Sequence, residues 1–127
     1  DRRLHEQGFF QMANAHGVEV HVRSVFLQGA AFFSPDALPK KLGALAPSIR
    51  ILDQIASSLQ VARPVLFWAW ARHLGASRLL TGCERVDQLH EQLGWFEEAT
   101  PLLKAIETIT HELPALGPEL LDPSRWS

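Results

Sequence analysis

Hydrophobic and polar positions along the chain predict helices that are separated by two short strands. Residues 4–16 place apolar side chains at helical spacing, and Gly17 is positioned to end that helix in the left-handed conformation. Residues 18–22 instead alternate apolar and polar side chains, with β-branched residues among them, and the run continues to Gly29. The pattern therefore predicts a first helix followed by the clearest strand of the chain.

A long irregular segment comes next. Residues 30–47 are interrupted by prolines and a glycine, and the pattern allows one helical turn near residues 36–42. Because unstructured connections of this length are uncommon in compact domains, we expect a loop that covers a functional region.

The middle of the chain predicts two helices and a second strand. Residues 48–59 carry an apolar stripe at helical spacing. Pro64 suits the first turn of another helix that runs to His73, and this helix is apolar on every side, which predicts burial. Residues 78–81 are predicted as a strand, and Gly82 follows it.

The last part of the chain predicts two further helices and a tail. Residues 86–93 form the first of them, ended by Gly94. Thr100 and Pro101 are typical of a cap and first turn, and the amphipathic residues 102–113 follow them. The proline-rich residues 114–127 are predicted to wrap the surface.

Strands that are separated by helices pair in parallel, so this order of elements predicts an α/β fold. Parallel sheets are buried on both faces, and two short strands cannot supply such a sheet alone. We therefore expect the chain to be a piece of a larger α/β body.

Composition excludes several classes of protein. The chain has 127 residues, of which 46% are hydrophobic and 20% charged, and a formal net charge of -2. These values exclude wholesale disorder and do not favour binding to nucleic acid or to anionic membranes. One cysteine excludes an internal disulfide and favours a reducing compartment, and no apolar run is long enough for a membrane helix. We therefore expect a cytoplasmic protein.

Two motifs give the chain a resemblance to a known family. Residues 23–29 read RSVFLQG and residues 81–93 read TGCERVDQLHEQL, and the chain opens with DRRL. In this order and spacing they resemble the aldo-keto reductases, over residues 1–113. That family consists of (β/α)8 barrels, and a complete barrel needs about 250 residues.

The resemblance implies that this chain is the C-terminal portion of a TIM barrel. Residues 18–26 would be its seventh strand and residues 78–81 its eighth, with the helical layer 48–73 between them. Residues 86–93 would be the last barrel helix, and residues 100–113 resemble the family's additional C-terminal helix. The partial barrel would thus span residues 1–113, and residues 114–127 would be a tail.

The resemblance also implies the activity of the parent protein. The family reduces aldehydes or ketones with NADPH and uses an Asp, Tyr, Lys and His set from the N-terminal half of the barrel. This chain contains no tyrosine, as expected if the proton donor lies elsewhere. We assign no catalytic residue, and we expect the isolated chain to be inactive and to bind no NADP(H) by itself.

Cofactor-binding residues are implied on both motifs. In the first motif, the resemblance places Ser24 at the pyrophosphate and forms the turn over the cofactor from Phe26, Leu27, Gln28 and Gly29. In the second, Gly82 would let the backbone approach a phosphate at the start of a helix. Arg85 would bind the 2′-phosphate, opposed by the charge of Glu84, and Gln88 and Gln92 would bind the adenine.

Simpler interpretations exist for each of these features. Taken alone, Gly82 ends a strand, Arg85 is a surface charge, and Gln88 and Gln92 form a solvated helix face. Trp68 and Trp70 favour core packing over ligand stacking. The histidines have no spacing typical of a zinc site, and Cys83 has no partner for nucleophilic catalysis.

A non-enzymatic function is the main alternative. Exposed strand edges and the apolar helix of residues 64–73 could bind an N-terminal barrel portion or a second copy of the chain. A small independent nucleotide-binding domain is less favoured, because the chain has neither a G-x-G-x-x-G nor a P-loop pattern.

Overall fold

The computed structural model describes residues 6–106, 111 and 113–126, which form a mostly helical body around two strands. The helices and strands are α1 (Phe9–Ala15), β1 (His21–Arg23), α2 (Ala46–Leu59), α3 (Arg63–His73), β2 (Arg78–Leu80), α4 (Val86–Ala99) and α5 (Pro118–Leu121). Short 3-10 helices lie at Leu27–Phe32, Lys40–Leu45, Thr100–Leu102 and Pro123–Arg125. The mixed α/β class predicted from the sequence is confirmed.

β1 and β2 pair in parallel, as predicted, with Val22 opposite Leu79. Pairing begins one step earlier, where the Val20 carbonyl accepts the Ser77 N–H at 2.8 Å. The predicted strand over residues 18–26 is nevertheless too long. Ser24 has a φ of 61° and turns the chain out of the extended conformation directly after β1.

α3 is the central helix of the main hydrophobic core. Val65 and Ala69 have no exposed surface, and Leu66 and Trp68 are buried beside them. α2 and α4 both pack against this helix. The predictions that this helix is buried and that Trp68 packs in the core are confirmed. Gly75 lies in the turn after α3 and has a φ of 104°, a conformation that favours glycine.

The C-terminal tail packs over the segment that follows β1. A second core cluster joins Ala30, Leu42, Leu45 and Ile49 with three side chains of the tail, Leu116, Leu120 and Trp126. The Lys41 Nζ also donates a hydrogen bond to the Trp126 carbonyl. The prediction of a wrapping tail is confirmed. The helical turn predicted near residues 36–42 is a 3-10 helix that begins later, at Lys40, and runs to Leu45.

The helix boundaries near the end of α4 differ from the prediction. Gly94 does not end α4, because Trp95 and Ala99 beyond it pack into the core and keep the helix intact to Ala99. A 3-10 helix begins at Thr100 with Pro101 in its first turn, where a new helix was predicted. Thr100 itself does not act as its cap: it has helical backbone angles, and its hydroxyl accepts a hydrogen bond from Arg72 at 2.9 Å. Residues 107–110 and 112 of the predicted helix over 102–113 lie outside the described residues.

Several apolar side chains remain exposed near the strands. Leu80 of β2 is 50% exposed, and Val86 and Leu93 of α4 are 69% and 55% exposed. Val86 and Leu93 are seven residues apart on one face of α4, and the described residues leave this outer face of α4 uncovered. None of the helices in the described part of the chain is long and apolar enough to cross a membrane.

Candidate functional site

An open groove of about 950 Å³ lies at the carboxyl ends of β1 and β2. One wall is the loop 24–29, and the other is formed by residues 80–85 and the first half of α4. Eight of the residues implied by the two motifs line this groove: Ser24, Phe26, Gln28, Gly29, Gly82, Arg85, Gln88 and Gln92. Leu27 does not line it, because its side chain packs into the second core cluster.

The first wall holds an unusual run of left-handed backbone. Ser24, Leu27 and Gln28 have φ values of 61°, 48° and 51°, and Gly29 follows with 85°. Non-glycine residues rarely adopt this conformation, and it costs of order 1 kcal/mol at each position. The loop persists because the Phe26 carbonyl accepts the N–H groups of Gly29 and Ala31 at 3.0 and 3.2 Å.

Aromatic rings form the floor of the groove. Phe26 is buried rather than placed over the groove as a free turn residue, and its ring centroid lies 5.8 Å from that of Trp95. Phe32 lies 4.9 Å from Phe26 and 5.9 Å from Trp95. Phe32 and Trp95 line the groove but were not singled out from the sequence. Trp95 lies three residues after Gln92 and seven after Gln88 on α4, so helical spacing from the second motif could have found it. Phe32 lies in the irregular segment after β1 and has no such signal.

Gln92 ties the middle of α4 to the loop that follows β2. Its Nε2 donates to the Gly82 carbonyl at 3.1 Å, and the residue is only 8% exposed. Its Oε1 is buried and has no hydrogen-bond partner among the described residues. A buried acceptor without a donor costs about 1–3 kcal/mol, so this oxygen marks a position where a donor is missing.

The Gln88 side chain caps the start of α4. Its Oε1 accepts the backbone N–H groups of Glu84 and Arg85 at 2.8 and 3.2 Å, which satisfies two donors at the helix start. These donors are therefore not free for a phosphate. Gly82 is also not required by crowding, since a Cβ there would meet nothing within 4 Å among the described residues.

Arg85 is held by the helix that it precedes. Its Nε lies 3.0 Å and 3.2 Å from the two carboxylate oxygens of Asp87, and its Nη2 lies 3.0 Å from Oδ2. The hydrogen bonds from Arg85 lower the pKa of the Asp87 carboxyl, and the same contact raises the pKa of Arg85. Glu84 and Glu91 also line this end of the groove.

Across the described residues, no group of three His, Cys, Asp or Glu side chains could hold a metal ion. Cys83 lines the groove as an exposed free thiol. The groove offers aromatic side chains and a carboxylate-rich rim to a ligand.

Comparison of the chain with models of known protein families, with curated protein sequences and with solved structures found no match.

Proposed function

We propose that this groove is the adenosine end of a nicotinamide-dinucleotide site in an aldo-keto reductase-like oxidoreductase. In this proposal the chain is the C-terminal portion of a (β/α)8 barrel. The supporting observation is Gln92, whose buried Oε1 lacks a donor and whose side chain lines a groove at the carboxyl ends of two adjacent parallel strands. Dinucleotides bind at this end of the strands in both barrels and open α/β sheets.

The residues present fit an adenosine better than they fit a phosphate. The exocyclic amino group of adenine is a hydrogen-bond donor and could satisfy the Gln92 Oε1 if the Gln92 side chain turns towards the groove. Phe32 and Trp95, whose rings are tilted by 33° to each other, offer aromatic surface for a base, whereas Phe26 meets Trp95 edge to face at 79°. Gly29 leaves open space beside the first wall, because a Cβ there would meet nothing within 4 Å among the described residues.

When bound, the dinucleotide supplies the hydride that reduces an aldehyde or ketone. The residues of this chain would orient the cofactor, and a proton donor would come from outside it. Ser24 stands at the carboxyl end of β1, where it would face the pyrophosphate. Gln92 and the aromatic floor would fix the base and so position the rest of the cofactor.

Both walls of the groove come from this chain. We therefore propose weak, saturable binding by the chain alone, in place of the absence of binding expected from the sequence. An NMR titration of the chain with NAD⁺ would test this: we expect shifts confined to residues 24–32 and 80–95. Shifts that scatter over the surface, or none at millimolar nucleotide, would contradict the proposed site.

The origin in a barrel has a separate test. The coding sequence upstream of Asp1 should encode, in frame, strands and helices that carry the family's Asp, Tyr, Lys and His. A start codon directly before Asp1, or an unrelated upstream domain, would contradict the oxidoreductase assignment. The groove could still bind a nucleotide in that case, so the two tests are independent.

A non-catalytic partner-binding function is the second candidate. The exposed side chains of Val86, Leu89 and Leu93 on the outer face of α4 favour it, because apolar faces of this kind are usually covered. Sedimentation of the chain over a range of concentrations would decide. A monomer at every concentration would exclude self-association, and a concentration-dependent dimer would support it.

A further inference from the structure

We propose that the groove selects a dinucleotide with a free 2′-hydroxyl, of the NAD(H) type, and disfavours the 2′-phosphate of NADP(H). This inference rests on the proposed function, since it concerns the same groove. It reverses the expectation that Arg85 binds a 2′-phosphate. At the start of α4, the Arg85 guanidinium and two backbone N–H groups already have hydrogen-bond partners within the chain.

The only arginine on this wall of the groove is already engaged. Asp87 takes three hydrogen bonds from the Arg85 guanidinium, at 3.0, 3.2 and 3.0 Å. A phosphate would have to displace this carboxylate, because both compete for the same planar donor edge. Arg85 and Asp87 are each 65% exposed, so the pair is solvated and its displacement costs only a modest factor.

Two backbone donors directly before the helix are also occupied. A helix N-terminus favours anions through its unpaired N–H groups. Here the Gln88 side chain accepts the N–H groups of Glu84 and Arg85. These two N–H groups are therefore not available to a phosphate.

The remaining charges at this end are mostly negative. Glu84 and Glu91 line the groove beside the paired Arg85, and Arg23 is the cation on the β1 side. With Arg85 neutralised by Asp87, two carboxylates face one arginine. Carboxylates accept hydrogen bonds from a ribose 2′-hydroxyl and repel a 2′-phosphate, which is the distinction that many dinucleotide sites use.

The ligand is indicated by an observation independent of the helix start. Gln92 lines the same groove, and its buried Oε1 has no donor within the described part of the chain. A neutral donor such as an amino or hydroxyl group satisfies it, whereas a phosphate oxygen does not. A buried acceptor and a carboxylate rim together favour the neutral parts of a nucleotide.

Affinities of the full chain for NAD⁺ and NADP⁺, measured by NMR titration, would test this inference. We expect NAD⁺ to bind more tightly in the unmodified chain. Asp87→Asn should improve NADP⁺ binding about threefold with NAD⁺ binding nearly unchanged. Asp87→Asn with Glu84→Gln should improve NADP⁺ binding about tenfold and weaken NAD⁺ binding, because one carboxylate acceptor of the rim is lost. Asp36→Asn is the matched control, because Asp36 pairs with Arg50 in another exposed bridge away from the groove.

Two results would overturn the inference. NADP⁺ binding as tightly as NAD⁺ to the unmodified chain would do so and would leave the groove intact as a dinucleotide site. An unchanged ratio of the two affinities in the double variant would have the same meaning. Failure of both nucleotides to bind would overturn the proposed function together with the inference, so the outcomes are distinguishable.

Discussion

The Gln92 side chain donates to the Gly82 carbonyl at 3.1 Å, while its own buried Oε1 has no donor among residues 6–106, 111 and 113–126. The hydrogen bond fixes the loop after β2 against α4. The oxygen is an unsatisfied acceptor on a side chain that lines the groove. One side chain therefore links the geometry of the loop to the chemistry that a ligand would meet.

Replacement of Gln92 by methionine separates these two effects. Gln92→Met loses the bond to Gly82 but also removes the unsatisfied oxygen, and the exposed Gly82 carbonyl can bind water instead. We expect the free energy of unfolding to change by no more than about 1 kcal/mol, while NAD⁺ affinity falls about tenfold. Chemical denaturation and NMR titration measure the two quantities. Gln54→Met, at an exposed position on α2, is the control and should change neither, whereas unchanged affinity in Gln92→Met would refute the assigned contact.

Glycine substitution at a left-handed residue of the first wall should raise the stability of the chain and weaken its nucleotide binding. Gln28 and Gln60 have φ values of 51° and 56°, but only Gln28 lines the groove. Glycine relieves this backbone strain, so we expect Gln28→Gly and Gln60→Gly each to raise the free energy of unfolding by up to about 1 kcal/mol. Only Gln28→Gly should weaken NAD⁺ binding, because it loosens the wall. Equal binding in both variants would mean that the strained loop does not contribute to the site.

Hydrophobic periodicity predicted the helices and strands that bury one face. It did not predict element ends that depend on the backbone angles of a single residue. α3 and the parallel strand pair were predictable, because an apolar run and the alternation of helix and strand fix them. The early end of β1 was not, since it depends on the left-handed φ of Ser24, a residue type with no strong preference for that conformation. The end of α4 was predicted wrongly at Gly94. Glycine has a low helix propensity, but the packing of Trp95 and Ala99 in the core outweighs it, and the helix continues.

The candidate site, like the fold, could be predicted only in part. The two motifs identified most residues of the groove, because each motif follows the carboxyl end of one of the paired strands. They did not reveal which groups are already bonded within the chain. Arg85 looked available in the sequence, yet Asp87 two positions later holds it. Such a local pair depends on side-chain conformations that no spacing rule specifies.

The pairing of Arg85 with Asp87 gives a measurable pH dependence. Hydrogen bonds from Arg85 hold the pKa of the Asp87 carboxyl below its ordinary value of about 3.9. Ionised Asp87 therefore stabilises the folded chain above that value, and the contribution is lost as pH falls through the lowered folded-state pKa. Carboxyl-carbon NMR should show the pKa of Asp87 return towards its ordinary value in Arg85→Met. Arg50→Met should leave it unmoved, and an unchanged Asp87 in the Arg85 variant would show that the pair does not form.

Two leucines of different burial test the core and the uncovered face together. Leu66 on α3 is 2% exposed, whereas Leu93 on α4 is 55% exposed. Because the buried side chain would leave a cavity, Leu66→Ala should lower the free energy of unfolding by about 2–5 kcal/mol. Leu93→Ala should change the free energy of unfolding by less than about 0.5 kcal/mol when the chain is monomeric, since its side chain is largely in water.

If the outer face of α4, which carries Leu93, binds a second copy of the chain, Leu93→Ala should instead weaken dimerisation in sedimentation experiments. A large loss of monomer stability in Leu93→Ala would mean that this face is covered within the chain, contrary to the described structure.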